Sequence, residues 1–254
     1  FSATAGEGNP RPDGWPASAN IEREETNRAK RSLAILSRPA PLSRDDFLSL
    51  KWDRRCDKTA PIYPQLFDPL LRSYTPRNDA ERQALDLLRR WDGDTNEDSV
   101  CATIAILSIR PIFYEIDVDG DGMQTKDPIL AFQRAVEFLQ KHYERMDVPL
   151  STVQRLQHGS IDLPVGGGPD VMNATYTKKR DGHLVGIQGD SYVLIVDFTA
   201  QGPHSQSIHQ YGASVRAESP HYSDQAPLFV KRQLKETFSR DQDLQGNIER
   251  TYQP

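Results

Sequence analysis

The sequence predicts an α+β fold, helix-rich over its first two thirds and followed by an antiparallel hairpin or small sheet. Three observations carry that expectation. Apolar residues recur at helical spacing in successive stretches up to about residue 156. After Gly159 the pattern changes to short runs rich in β-branched and aromatic residues. The order is thus helices first and strands last, and no internal repeat of solenoid length is present. The expected division is 1–158 mainly helical and 159–254 strands with a terminal helix.

Taken in order, residues 1–20 are rich in Gly, Pro, Asp and Ser and predict an irregular segment anchored by Phe1 and Trp15. Ser18 or Asn20 is positioned to cap a first helix running to about Leu36, with Glu22, Glu24 and Glu25 in its first turn and Ala29, Leu33 and Leu36 on one face. Pro39 and Pro41 end it. Ser43-Arg44-Asp45-Asp46 starts a second helix as a capping box with Asp in place of Glu. A short helix is expected around Leu66 to Tyr74. A clearer one, capped by Asn78 or Asp79, carries Ala80, Ala84, Leu87, Leu88 and Trp91 as an amphipathic stripe. Ser99 to Ile109 is apolar nearly all round and predicts a helix buried on most sides. An acidic loop over 117–127 precedes a helix from Ile129 to Met146 and a short one from Leu150 to Leu156. Beyond Gly159, His183–Ile187 and Tyr192–Phe198 read as two strands joined into a hairpin by Gln188–Ser191. Ser205 to Tyr211 adds a short strand, and Ala226 to Phe238 reads as the terminal helix.

Composition excludes several classes of function. A net charge of −5 with mixed signs offers no basic face for nucleic acid. The apolar run within Ala102 to Leu107 is far too short to span a membrane. With a mean hydropathy of −0.65, the chain suits either a piece wrapped around something larger or a loop-rich domain. Its first residues have neither the basic region nor the apolar core of a signal peptide, and read as a cut inside a longer chain. Two cysteines, Cys56 and Cys101, do not make a disulfide framework.

Residue spacing does not assemble an active site. Asp117, Asp119 and Asp121, with Gly120 and Gly122, match the opening of a calcium loop, in which alternate oxygens converge on one cation. The closing bidentate Glu is replaced by Pro128, with Asp127 beside it as a substitute, so calcium and a solvated turn are both open readings. No pair of the six histidines has His-x-x-x-His or His-x-His spacing, His204 and His209 being five apart in a polar segment, and there is no Gly-x-Ser-x-Gly elbow. The triple glycine at 166–168 lacks the Lys-Ser/Thr of a phosphate loop and reads as a turn permitting close backbone approach. Cys56, preceded by Arg54-Arg55, is a lone candidate thiol.

Several stretches taken together resemble the penicillin amidase family, which includes acyl-homoserine-lactone acylases. They are Gly6–Pro10 with Ile21-Glu22 and Thr26-Asn27-Arg28-Ala29; Asp45-Asp46-Phe47 with Lys51-Trp52-Asp53; Leu87–Gly93; Gly159–Asp170; Gly189–Tyr192 with Ser205-Gln206-Ser207; and Ser219–Phe229. Their order spans nearly the whole chain. The resemblance implies the later part of a β subunit in a four-layer αββα N-terminal-nucleophile fold. It implies hydrolysis of a linear amide with an acyl side chain, by a terminal Ser whose own amine serves as base. The Ser nucleophile and the oxyanion Asn would both lie upstream; Ser2 sits in the segment that follows the oxyanion Asn. An arginine that braces this Asn would align at Glu24, with Arg23 beside it. Asp53 and the His221–Gln225 segment would hold loops by hydrogen bonds. The implied partners are the rest of the same precursor and a small acyl amide, without cofactor, nucleic acid or membrane, in the periplasm or outside the cell. A non-catalytic, stand-alone structural or interaction module is the alternative.

Overall fold

The apolar stripes of the first half assemble into one helical core. In the computed structural model, residues 14–19, 25–37, 41–114, 117–122, 124–238 and 241–248 are described. The chain divides into two units, 1–157 with 164–189, and 158–163 with 190–254.

The first unit opens with α1 (Asn27–Leu36) and α2 (Arg44–Lys51), followed by α3 (Ile62–Ser73), α4 (Asp79–Arg90), α5 (Val100–Phe113), α6 (Pro128–Tyr143) and α7 (Leu150–Val153). Each start has a local cause. Thr26, Ser43, Asn78, Ser99 and Asp127 accept hydrogen bonds from first-turn amides, satisfying donors that the helix itself leaves unpaired. At Ser43 the capping box with Asp46 is complete, as expected. The first helix begins later than the sequence predicts, because Thr26 takes the cap. Its buried face is Asn27, Ala29 and Ser32 rather than the Ala29–Leu33–Leu36 stripe, and Leu36 is exposed. The third helix is longer than expected: Pro64 falls in its first turn, where no intrahelical N–H bond is lost.

The core gathers α3, α4, α5 and α6. Tyr63, Phe67 and Trp91 form an aromatic cluster with ring centroids 5.0–6.3 Å apart, and the buried Trp91 indole donates to the Asp94 carbonyl at 2.8 Å. The α5 helix is buried on nearly every side, as its sequence predicts. Burying its Ile and Leu side chains stabilises the fold by roughly 1.5–3 kcal/mol each before entropy is counted.

Strands begin earlier than the sequence predicts. The period-two segment starts at β1 (Gln154–His158), where a helix continuing to Leu156 was expected, because Gln154 and Arg155 pair in parallel with Leu184 and Val185. Next comes β2 (Ile161–Pro164), and then β3 (Thr175–Arg180) and β4 (His183–Gly189) pair antiparallel. This sheet is therefore mixed, not purely antiparallel. The expected hairpin of 183–198 does not form. The true turn is Asp181-Gly182, with φ values of 50° and 79°. An Asp-Gly pair at positive φ matches the twist of a two-residue hairpin. The next strand pairs elsewhere.

In the second unit, β5 (Tyr192–Thr199), β6 (Gly202–His209) and β7 (Lys235–Thr237) form an antiparallel sheet in that order. The expected terminal helix is cut to α8 (Ala226–Val230). Arg232 adopts a left-handed φ of 58°, and residues 235–237 turn into β7 against β6. A final turn, α9, spans Asp241–Leu244. His158 is stacked between Tyr211 and Tyr222, at centroid distances of 4.2 and 4.0 Å. Gln225 accepts the His209 amide at 3.0 Å, and His221 meets Asp224 at 2.9 Å. Among the described residues, no helix is long and apolar enough to cross a membrane.

Candidate functional site

A dense polar arrangement of the first unit lies where the start of α1 meets the loop after β2. Asn27 is almost fully buried, and each of its polar groups is used. Its backbone N–H donates to Asp170 Oδ2 at 2.8 Å. Its side-chain amide donates to the carbonyls of Asp170 at 2.8 Å and Arg55 at 2.9 Å, while Oδ1 accepts the Asp57 amide at 2.6 Å. Arg28 Nε donates to Asp170 Oδ1 at 3.2 Å. One turn on, Arg31 forms a two-pronged pair with Asp53: Nε to Oδ1 at 3.1 Å and Nη2 to Oδ2 at 2.6 Å. Such fork-to-carboxylate pairs fix direction as well as charge. Asp53 also accepts the Arg55 amide, and its carbonyl accepts the Asn173 amide at 2.9 Å.

Asp170 sits with φ 57°, in the left-handed region that Asp tolerates better than most residues. The triple glycine leads into it. A Cβ on Gly167, at φ 83°, would stand 2.2 Å from the Asn173 carbonyl oxygen, and one on Gly168 would stand 2.5 Å from Ile106. The loop is thus a close backbone approach, as its glycines predict. Burial pushes the Asp170 carboxyl up, against the opposing pull of the Asn27 amide and Arg28.

Arg28 and Asp170 border a cavity of about 790 Å³. Its apolar wall includes Ile62, Phe113, Tyr114, Tyr176 and Ile187, and Glu25 and Lys126 add charge. Burial pushes the Tyr176 phenol up, with Arg28 opposing it. The cavity therefore combines an apolar wall with charged groups, Glu25, Arg28, Lys126 and Asp170, and suits a segment or ligand that carries both apolar and polar parts.

The other sequence candidates are placed elsewhere or find other partners. Arg23 and Glu24 lie outside the described residues. Since the first helix starts at Asn27, the arginine at its start is Arg28. Asp119 faces the buried Arg110 at 3.0 Å and accepts the Lys179 amide at 2.7 Å. Asp121 pairs with Lys179, and Asp117 accepts turn amides of Gly120, Asp121 and Gly122. Asp127 caps α6. The acidic loop is thus engaged by cations and amides of the chain itself, and among the described residues no group of three His, Cys, Asp or Glu is arranged to hold a metal. Cys56 is buried with its thiol pushed up to about 12, chiefly by burial, which makes it a poor nucleophile. Both cysteines are free thiols.

Three of the stretches that carry the resemblance meet at this site: Thr26–Ala29, Lys51–Asp53 and Gly159–Asp170. The family model described as penicillin amidase matches residues 2–246. The chain belongs to the penicillin amidase family. It is 25% identical over 225 residues to an acyl-homoserine lactone acylase PvdQ of Pseudomonas fluorescens strain Pf0-1, a match covering 79% of this chain and 28% of that protein. A PvdQ acylase of Pseudomonas savastanoi pv. phaseolicola is 34% identical over 89 residues, covering 34% of this chain and 11% of that protein. Among solved structures, a thermostable penicillin G acylase from Alcaligenes faecalis aligns over 98% of this chain and 56% of that chain, with TM-score 0.48 and 13% identity. The chain thus spans little more than a quarter of the first of these relatives. Within this penicillin amidase chain, the site residues missed by sequence reasoning are Asn27, Arg28, Arg31 and Asp170. Thr26, a capping residue directly before Asn27-Arg28, was the available signal.

Proposed function

We propose that this chain is the later part of the nucleophile-bearing subunit of an amidohydrolase that cleaves linear acyl amides. On this reading a terminal Ser, contributed from outside the chain, attacks the amide carbonyl. Its own amine takes the proton, and water then hydrolyses the acyl-enzyme. The chain supplies the helical shell, the terminal strands of a four-layer fold and the positioned arginine at the start of α1. Arg28 rather than Arg23 takes the role of bracing the oxyanion-holding Asn, because it stands at the start of the helix and at the lip of the cavity. Asp53 holds Arg31, and with it the α1–α2 region, in place.

The observation that carries the reading is the family match along 2–246, together with the convergence of three matched stretches on one polar cluster. The substrate class rests on relatives bearing the acyl-homoserine lactone acylase name. The test is to produce the polypeptide with its upstream sequence and assay a fatty-acyl p-nitroanilide and an acyl-homoserine lactone. Self-cleavage exposing a new terminal Ser, with release of the free amine, is expected. A full-length protein that is neither processed nor active on either substrate would overturn the proposal.

A further inference from the structure

We propose that Asp170 is a positioning residue for this reaction: it fixes the direction of Arg28 at the lip of the cavity. The assignment rests on the amidohydrolase reading above. Asp170 uses its two carboxylate oxygens separately. Oδ2 takes the N–H of Asn27, the first residue of α1, and Oδ1 takes Arg28 Nε. The Asp170 carbonyl is in turn gripped by the Asn27 side chain at 2.8 Å. One residue thus fixes both the helix end and the side chain leaving it.

The Asp170 backbone is equally constrained. It stands at φ 57°, behind a glycine at 167 that no other residue replaces without striking the Asn173 carbonyl. Helix capping alone does not account for this arrangement, since Thr26 already accepts from the Ala29 amide. What Asp170 adds is the hold on Nε. With Nε occupied, the guanidinium plane is set, and its Nη groups have no other partner among the described residues. A guanidinium held on one edge presents the other as a pre-directed pair of donors, which is how an electrostatic brace avoids reorganising during the reaction. Arg28 and Asp170 line the same cavity as Tyr114 and Tyr176, and the Arg28 side chain is 36% exposed there, so its Nη groups can reach a partner that enters the cavity.

The test uses the full-length, self-processed enzyme. Asp170→Asn keeps an amide oxygen for the Asn27 N–H but cannot hold the guanidinium with a charge. Its kcat on a fatty-acyl p-nitroanilide is expected to fall by roughly tenfold or more, with KM within about twofold and processing intact. Asp170→Glu, which keeps the charge, should recover part of the loss. Arg28→Lys should show the same kcat-selective loss, and the double variant Asp170→Asn/Arg28→Lys should be no worse than the worse single variant. If Asp170→Asn does not mature, Arg28→Lys decides, since an arginine that does not act needs no positioning. Wild-type kcat in matured Asp170→Asn, or in Arg28→Lys, would overturn the assignment while leaving the amidohydrolase reading standing. A processed wild type without amide hydrolysis would overturn both.

Discussion

Replacing Asp119 with alanine is expected to destabilise the protein by about 3 kcal/mol. Arg110 projects from the apolar helix α5, with its side chain 2% exposed. Its Nη2 lies 3.0 and 3.2 Å from the two Asp119 oxygens and 2.8 Å from the Thr177 carbonyl. Without Asp119, the guanidinium keeps that carbonyl and the Tyr114 ring, 5.1 Å from its centroid, but no neutralising charge among its described partners. Removing one member of a buried pair costs about 3–5 kcal/mol. Asp119 is itself 12% exposed and the nearby Lys179 24%, so water screens part of the interaction and the low end applies. Urea unfolding at constant m is the assay, and the melting temperature should fall by roughly 6–12 °C. Asp86→Ala, at a surface pair whose members are 50% and 54% exposed, is the control and should change little. A loss at Asp119 no larger than at Asp86 would refute the reasoning. The pH dependence has a definite sign. Burial alone would raise the Asp119 carboxyl, but Arg110 and Lys179 together hold it below the ordinary value of 3.8. The folded state therefore takes up this proton less readily than the unfolded chain. The stabilisation is complete above that ordinary value and is lost as pH falls through the depressed one, so the acid limb should flatten in Asp119→Ala.

Gly167→Ala should cost roughly 2–4 kcal/mol, combining left-handed strain with a carbonyl 2.2 Å from the new Cβ. Gly120→Ala, at φ 70° with nothing within 4 Å of the new Cβ, should cost about 1 kcal/mol in the same denaturation assay. Calcium titrated into the chain should release no binding heat, because Arg110 and Lys179 already face the loop carboxylates; a stoichiometric isotherm would contradict that geometry. An aromatic disulfide reagent should modify the half-exposed Cys101 well before the buried Cys56, as followed by mass spectrometry of the native protein. Produced alone, the chain should self-associate through the outer face of β5, where Tyr192, Leu194, Val196 and Phe198 are all exposed, and Phe198→Asp should reduce the effect in sedimentation velocity.

The helical half was legible because its signals are local. Ser43 and Asn78 cap where short-range rules put them, and α5 is buried because no charged residue interrupts its first ten positions. The strands were less legible because pairing is decided at a distance. Nothing near Gln154 announces its parallel partner 30 residues away, although Asp181-Gly182 was a hairpin signal that could have displaced the turn placed at 188–191. The site was legible only in pieces. Thr26–Ala29, Lys51–Asp53 and Gly166–Asp170 each stood out, but a contact between residues 27 and 170 has no sequence period. The sequence places the brace at Arg23, whereas the function proposed above gives that part to Arg28. Likewise, an acidic run that resembles half a calcium loop gave no hint that a buried arginine, itself hidden in an apolar helix, would claim its central carboxylate.

The most direct test is mass spectrometry and N-terminal sequencing of the naturally produced polypeptide, coupled to an amide-hydrolysis assay on the same sample. The expected result is a processed protein in which this sequence lies within the larger subunit, a new terminal Ser precedes it, and amine is released at a rate that tracks the processed fraction. An unprocessed polypeptide, or amide hydrolysis that survives replacement of that terminal Ser by Ala, would contradict it.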